Sequence, residues 1–483
     1  MAYTTINDPS AYFQTALYTG NGGTLTVTND GNSNLRPDWI WGTLRQNDGG
    51  ARFMFDSVRG VTNRVKTNAA TEEQVRSGVT AFNSDGFTMG SHTDSNTNGA
   101  TTVAWQWAAG GATPSKTYRV VVVSDSGNKY RFRNSANTAT FAQSAVTLEL
   151  QSGGTYTFDQ SDSTVASHPM KFSTTSNGTH GGGSSYNTGV TYKLDGSTVT
   201  ESAYVSGFAS ATTRQIILNV QNTTTLYYYC HYHSGMGGQV DQNATFGQTN
   251  FDGSILSRSS ENATSGFSIV RWTGNGTGGA TIGHGLGAVP HLMIIKKRSG
   301  SDNFTVYHQD MASDPQTDYI NLNGSGAKTD SVDRWNDTSP TSTVATLGDA
   351  GAVNGSSATY VGYFFTSIKG YSKFGNYNGN NNTNGTFVYT GFKPAFIILK
   401  DTERTQNWRL YDARRPGFNV NTMSIKPNET SVESSGNQLD ILSNGFKFRT
   451  SDGDANGYDE NHIFWAFAES PFVASNNVVA TAY

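Results

Sequence analysis

The residue types best suited to chemistry in this chain lie around its single cysteine. His233 follows Cys230 at the third position and Met236 at the sixth, and His168 lies upstream in a Ser-His-Pro-Met-Lys run. One thiolate, two imidazoles and one thioether form the soft nitrogen and sulfur ligand set that favours copper. Two histidines and a cysteine in a plane, with a weak axial methionine, describe a blue-copper centre. The sequence therefore predicts a copper site at His168, Cys230, His233 and Met236.

Separate strand ends must bring these ligands together. Cys230 closes a predicted strand, the next two ligands fall on a tight turn closed by glycines, and His168 ends another strand just before a proline. His231 is expected to face away from Cys230 as its strand neighbour, and His180 to face solvent from a Gly-rich loop. The alternative is that the lone cysteine is an inert, buried, small apolar residue. A fold can also keep its ligands, or its metal, for stability alone.

The composition of the 483 residues favours short strands joined by many tight turns. Charged residues make up 14%, apolar residues 35% and aromatic residues 12%, and there are 54 glycines. This chain is too aromatic to be disordered, and it lacks the composition of helical bundles and coiled coils. Its 33 basic and 37 acidic residues leave no electrostatic footprint for nucleic acid. We therefore expect an all-β protein without a nucleic-acid partner.

A single cysteine allows no intrachain disulfide, so stability must come from packing or assembly. The longest apolar runs, such as 120–123, have the size of a strand, whereas a bilayer span needs roughly 20 apolar residues. We therefore expect no membrane insertion. The first residues lack the basic and apolar regions of a secretory signal. A route to the cell exterior is then release inside a virus particle.

Three repeats organise most of the chain. Each begins with an aromatic strand and a turn rich in Gly and Asn, followed by a proline and a strongly apolar strand. Each finishes on an aromatic strand, at 103–107, 360–365 and 463–467. The alternation of apolar and polar residues predicts antiparallel β-sandwiches, and the segment 72–79 is predicted as one or two helical turns.

An insertion with strand signals of its own separates the first two repeats. These signals lie at 146–150, 155–158, 215–220 and 225–229. We therefore predict tandem sandwich domains in a row. Their predicted ranges are 1–114 for the first repeat, 115–250 for the insertion, 251–368 for the second repeat and 369–483 for the third.

Two loops have the pattern of the front half of a calcium loop. One begins at Asp94, and the other places Asp452, Asp454 and Asn456 at the first ligand positions. The glutamate expected at the twelfth position is missing, because Ile463 stands there. The alternative is a turn that uses Asn-Gly chemistry and binds no calcium.

Sugar cleavage would need two carboxyl groups that face each other across a cleft. Glu469 is the best single candidate, and a charge at a strand end is its alternative. Tryptophans such as Trp41 and Trp105 are able to stack on sugars when exposed, but strand alternation predicts most of them in the core. We therefore expect no enzymatic activity.

The segment around Cys230 resembles the cupredoxin family. Its Cys-x-x-His-x-x-Met spacing is similar to the shortest ligand loop of that family, the amicyanin type, and His168 before Pro169 fits the first histidine ligand. The resemblance covers about a quarter of the chain. It implies a Greek-key sandwich with copper held by His168, Cys230, His233 and Met236.

The repeats resemble virion structural proteins of marine tailed bacteriophages of the cyanophage type. The resemblance rests on the Gly/Asn turns, Trp-Ile-Trp at 39–41, Phe-Asp-Ser-Val-Arg-Gly at 55–60 and Glu-Ser-Pro-Phe at 469–472. It implies three jelly-roll or lectin-like units in a tail-fibre or tail-appendage subunit that contacts the host surface. We expect assembly in the host cytoplasm into the virion, with further copies, other virion proteins and a host surface glycan as partners. A capsid decoration or fibre protein and a copper electron-transfer protein are the alternatives.

Overall fold

The computed structural model describes residues 3–46, 50–111, 113–138, 140–436, 438–474 and 479–481. Within these ranges the protein is all-β and forms several separate sheets, which confirms the predicted tandem β-sandwiches. The jelly-roll and Greek-key subtypes stay predictions. None of the described helices combines the length and the apolar character needed to cross a membrane.

The first repeat contains β1 (Phe13–Thr19), β2 (Leu25–Val27), β3 (Trp39–Leu44), β4 (Arg52–Asp56), β5 (Asn63–Lys66), β6 (Gln74–Val75), β7 (Val79–Phe82), β8 (Phe87–Met89) and β9 (Thr101–Trp107). The insertion contains β10 (Ser115–Ser124), β11 (Asn128–Asn134), β12 (Leu148–Gln151), β13 (Thr155–Asp159), β14 (Met170–Ser173), β15 (Val190–Leu194), β16 (Ser197–Val199), β17 (Arg214–Asn219), β18 (Leu226–Cys230), β19 (Gly238–Asn243) and β20 (Gln248–Asn250).

The second repeat and the segment before it contain β21 (Ser257–Asn262), β22 (Phe267–Thr273), β23 (Ala280–Gly283), β24 (Leu292–Lys297), β25 (Thr305–His308), β26 (Asp318–Asn321), β27 (Thr329–Asp330), β28 (Val344–Leu347) and β29 (Thr359–Phe365). The third repeat contains β30 (Ser372–Asn378), β31 (Phe387–Tyr389), β32 (Phe392–Asp401), β33 (Arg409–Asp412), β34 (Leu439–Leu442), β35 (Gly445–Phe448) and β36 (Asn461–Pro471).

Helices in the described ranges are few and short. They are α1 (Thr93–Asn96), α2 (Glu201–Gly207), α3 (Val332–Trp335) and α4 (Gly453–Asn456), with 3₁₀ turns at Pro9–Ala11, Ser163–Val165 and Gly178–Gly181. The helical prediction for 72–79 is wrong, because Gln74 and Val75 instead pair with Arg64 and Asn63 of β5. Pairing with a neighbouring strand outweighs the weak helical preference of this short segment.

The described chain divides into two compact units. Unit 1 comprises Met1–Ala109, Glu261–Ala280 and Leu286–Tyr483, and unit 2 comprises Gly110–Ser260 and Thr281–Gly285. The finer boundaries at 114, 250 and 368 stay predictions.

In unit 1, each large sheet has two buried faces. The first repeat pairs the sheet β1-β9-β3-β4-β5-β6 with the smaller sheet β2-β8-β7, and Ile40 and Phe53 fill the space between them. The third repeat pairs β30-β36-β32-β33 with β31-β35-β34 in the same way. Because side chains alternate along a strand, Trp39 and Trp41 face the opposite side and enter a core that residues of all three repeats share. This shared core extends beyond the separate sandwiches that the repeats predict.

Unit 2 contains two sheets packed on a core of its own. Their strand orders are β11-β10-β13-β17-β15-β16 and β12-β19-β18-β14, with parallel pairing of β10 with β13 and of β12 with β19. Phe132, Phe158 and Phe172 lie in the core between the sheets, together with Cys230 and Met236. The candidate metal ligands are therefore attached to a packed sandwich rather than to a loose loop.

Candidate metal centre

Two neighbouring strands of unit 2 position the candidate ligands. Cys230 is the last residue of β18 and is the Cα partner of Met170, the first residue of β14. The backbone N–H of His231 donates to the carbonyl of Pro169 at 2.9 Å, so the pairing continues past the strand end. Antiparallel pairing therefore holds His168, two residues before Met170, beside the end of β18.

The structure brings three of the four predicted ligands together. The Cys230 Sγ lies 3.8 Å from Nδ1 of His168 and 3.5 Å from Nδ1 of His233. The two Nδ1 atoms are 3.1 Å apart. Among the described residues, this is the only group of three or more His, Cys, Asp or Glu side chains whose ligand atoms converge in this way.

The triangle of Cys230 Sγ and the two imidazole Nδ1 atoms has the size that a metal ion requires. A point in its plane lies about 2 Å from all three atoms, close to the metal–nitrogen and metal–sulfur bond lengths of roughly 2.0 and 2.3 Å. Three ligands around one point in a plane form the trigonal His₂Cys arrangement of blue-copper sites. The donor set and its spacing therefore fit a copper ion.

Met236 and the turn that holds it are fixed by backbone contacts. Met236 is buried in the unit 2 core, and its carbonyl accepts a hydrogen bond from the N–H of Tyr130 at 2.9 Å. The Gly235 N–H donates to Oδ1 of Asn177 at 2.8 Å. Gly237 lies so close to the Tyr228 carbonyl that a Cβ there would come within 1.7 Å of its oxygen. The ligand turn therefore needs a glycine at 237.

The protonation of His168 suits metal binding. Burial lowers the pKa of His168 from its usual value, and the nearby His233 lowers it further. His168 is therefore neutral at pH 7, with a lone pair available for a metal. Cys230 is fully buried and His168 nearly so, whereas His233 is exposed.

The two other histidines near Cys230 have separate contacts. His180 is exposed, as predicted, and its Nε2 donates to the Cys230 carbonyl oxygen at 3.1 Å. His231 Nδ1 lies 3.4 Å from Nζ of Lys171. Neither ring belongs to the converging group.

Sequence reasoning missed Tyr130. Its hydroxyl donates to the carbonyl of His168 at 2.8 Å, which fixes the backbone that carries this ligand. Burial raises the pKa of Tyr130 well above its usual value, and the neighbouring Cys230 adds to the rise. Tyr130 pairs with Val122 on the β10–β11 hairpin. Nothing in the sequence around Tyr130 indicates a contact with His168.

The predicted calcium ligands lie in unit 1 and make contacts of their own. Asp452 caps α4 by accepting from the Asp454 N–H at 2.9 Å, and Asp454 pairs with Arg409 at 2.6 Å. Asn456 is fully buried, and its Nδ2 donates to the carbonyls of Thr450 and Asn382. These bonds give the repeated motif a structural role, the turn that the sequence offers as the alternative. Calcium binding there stays a prediction.

A comparison with protein families places the chain. The model of a domain of unknown function (DUF7483) matches residues 8–232 and 241–471. The chain belongs to this family. No curated protein matches it. The matched residues include His168 and Cys230, whereas His233 and Met236 lie in the interval between the two matched segments. Support for a metal site therefore comes from the geometry of this chain and not from the family match.

Proposed function

We propose that unit 2 binds one copper ion, which His168, Cys230 and His233 would hold, with Met236 as a candidate fourth ligand. The observation that carries the proposal is the triangle of two Nδ1 atoms and one Sγ atom, with sides of 3.1, 3.5 and 3.8 Å. A bound copper ion supplies one-electron redox chemistry, or ties together two segments that no disulfide joins. The protein contributes a buried thiolate and a buried imidazole, together with the exposed imidazole of His233.

X-ray absorption at the copper edge tests the ligand set directly. The full chain loaded with one equivalent of copper should fit a shell of two nitrogens and one short sulfur. The His233→Ala variant should lose one nitrogen without unfolding, because His233 is exposed. A shell of nitrogen and oxygen alone would contradict the proposal.

For the whole chain we propose a non-enzymatic structural role in a bacteriophage virion, as a tail-fibre or tail-appendage subunit. Support comes from the resemblance of the repeats and from a disulfide-free, turn-rich, all-β architecture suited to assembly in a reducing cytoplasm. The best candidate for a catalytic carboxylate, Glu469, is paired with Lys393 at 3.0 Å. This pairing favours a structural role for that side chain.

Immunogold microscopy of phage particles tests this second proposal. Antibodies against the purified chain should label the tail or its fibres. Label on the head would support the capsid alternative, and virions without any label would contradict a virion role.

Electron transfer is the second candidate for unit 2, and one feature favours it. The His233 ring is exposed, and Tyr232 beside it is 53% exposed, with the two ring centroids 6.5 Å apart. An exposed ligand beside an exposed aromatic ring gives a redox partner a place to dock. Fast self-exchange of the copper-loaded protein, slowed in Tyr232→Ser, would favour this role over a purely structural metal.

A further inference from the structure

Unit 1 contains a cavity of about 650 Å³ that no role assigned above uses. Its volume falls within the range of roughly 300–1,000 Å³ for small-molecule sites. The lining is mainly polar and includes Asp310, Asp314, Asp318, Lys328, Asn376 and Glu403.

Asp318 is the side chain of this cavity that points to a bound ligand. The residue is only 7% exposed and lines the cavity. Within the described residues, its carboxylate accepts no hydrogen bond and forms no ion pair. Its backbone is held in place, since its carbonyl accepts from Nε1 of Trp335 at 2.9 Å. Its oxygens are accessible from the cavity rather than sealed in the interior. A ligand that brings donors would therefore form charge-assisted hydrogen bonds with them.

The one lysine of the cavity does not satisfy Asp318. Lys328 Nζ donates to Oε1 of Glu403 at 3.0 Å. Burial raises the pKa of Asp318, Lys328 acts in the opposite direction, and the carboxylates of Asp330 and Asp314 raise it further. The cavity therefore carries an excess of negative charge.

Two amide side chains of the cavity lining, those of Asn461 and Asn376, bond to the protein itself. Asn461 Nδ2 donates to the carbonyl of Asp310 and to Oγ1 of Thr402, at 3.3 and 3.2 Å. Its Oδ1 accepts from Nδ2 of Asn376 at 3.0 Å. The donors of these neighbouring amides are therefore engaged with the protein itself.

A second groove in unit 1, lined by the residue at the corresponding place in the third repeat, contains a carboxylate that is neutralised by an arginine. Asp310 follows the end of β25 by two residues, and Arg414 follows the end of β33 by two. Arg414 lines a cavity of about 200 Å³ and pairs there with Asp30. Arg414 thus forms an ion pair with the carboxylate in that groove, whereas Asp318 forms no ion pair with the described residues.

We propose that the larger cavity binds an amino sugar, that is, a saccharide whose hydroxyl and ammonium groups donate to Asp318 and the neighbouring carboxylates. A chelated metal ion does not fit, because these carboxylates do not converge as a group among the described residues. Negative charge selects against anionic sugars and favours an ammonium group. The inference deepens the proposed contact with a host surface glycan and rests on it.

Calorimetry and saturation-transfer NMR on the full chain test the inference. The probes are a glucosamine oligomer, its fully N-acetylated form, a neutral glucan and spermidine. The glucosamine oligomer should bind best, and Asp318→Asn should weaken it at least about tenfold. Asp349→Asn, at an exposed position of unit 1 outside the cavity lining, should leave the affinity unchanged and is the matched control.

Three results would overturn the inference. They are no saccharide binding at millimolar concentration, equal affinity in Asp318→Asn, and equal affinity of the neutral glucan or of spermidine with the glucosamine oligomer. None of these results bears on the copper or virion proposals. Those are tested by copper binding at Cys230 and by antibody labelling of phage particles. Conversely, an unlabelled virion with intact glucosamine binding would remove the host-surface role and leave the site.

Discussion

Trp105 of the first repeat donates from Nε1 to Oδ2 of Asp412 in the third repeat, at 3.0 Å. Two further buried hydrogen bonds join the other pairs of repeats. The Tyr363 hydroxyl donates to Oδ2 of Asp56 at 2.9 Å, and His308 Nε2 donates to the Phe464 carbonyl at 3.1 Å. Each repeat therefore contacts both of the others through a buried polar bond, which makes unit 1 a cyclic arrangement of three sandwiches.

Asp412→Asn should destabilise unit 1 strongly. Asp412 is fully buried and accepts from Nε of Arg415 at 2.6 Å, so its loss leaves that guanidinium with Glu433 as its remaining carboxylate. Breaking a buried ion pair typically costs about 3–5 kcal/mol. We expect a clear fall in the urea midpoint, measured by tryptophan fluorescence.

The control for this variant is Asp30→Asn. Asp30 and Arg414 form a pair whose side chains are 67% and 51% exposed, and such pairs contribute up to about 1 kcal/mol. Equal effects of the two substitutions would contradict a special role for the buried contact.

Acidification from pH 7 to pH 5 should destabilise unit 1 through protonation of His308. Burial lowers the pKa of His308 to about 3, and the ordinary value is 6.5. The contribution of neutral His308 to the free energy of unfolding is thus complete above pH 6.5. It declines as the pH falls from 6.5 towards 3, because His308 of the unfolded chain binds a proton first. Linkage gives a loss of about 2 kcal/mol by pH 5.

Urea unfolding at pH 7 and pH 5 measures this loss. His308→Asn should be less stable at pH 7 but show a smaller difference between the two pH values. An unchanged difference would show that other groups, such as His462, whose pKa burial also lowers, carry the effect.

Gly237→Ala should abolish metal binding while leaving the sheets folded. A Cβ at 237 would collide with the Tyr228 carbonyl, so the turn that carries His233 and Met236 must move. A shift of an ångström at a ligand is enough to lose a metal site. Gly111→Ala is the control in unit 2, because a Cβ at 111 would lie 4.0 Å from its nearest neighbouring atom, the backbone nitrogen of Thr113. Normal copper affinity in Gly237→Ala would contradict the rigid-turn account.

Asn456→Ala should destabilise the third repeat by about 1–3 kcal/mol, since it leaves the Thr450 and Asn382 carbonyls and the Asn380 N–H without their buried partner. Asn96 makes the matching bonds to Gly23 and Gly90 in the first repeat. Excess calcium should leave the thermal midpoint unchanged in the wild type. A calcium-dependent rise that Asp452→Ala removes would instead restore the calcium interpretation.

Much of the fold was predictable from pattern. Aromatic strands such as β9 and β36 repeat with the same alternation, and that alternation specifies sheets with buried faces. The shared core was harder to foresee, because burial of Trp39 and Ile40 on opposite faces depends on neighbours from distant repeats. Its one local signal is three consecutive apolar residues, Trp-Ile-Trp at 39–41, in β3.

The metal centre likewise has one part that the sequence predicts and one part that it does not. Cys230 ends β18 and His233 follows three residues later on the adjoining turn, so their spacing alone indicates a common site. His168 reaches them through the pairing of β14 with β18. The Tyr130 contact is a bond to a backbone carbonyl, which any tyrosine at the right place can make, so no sequence pattern marks it.

Copper titration of the purified full chain, followed by visible absorption and electron paramagnetic resonance, tests the central claim most directly. We expect an intense thiolate-to-copper band that saturates at one equivalent, is absent in Cys230→Ser, and is shifted in His233→Ala, which keeps the thiolate ligand. Circular dichroism verifies that both variants fold. No band at any copper concentration, or a band that survives in Cys230→Ser, would contradict the proposed copper centre.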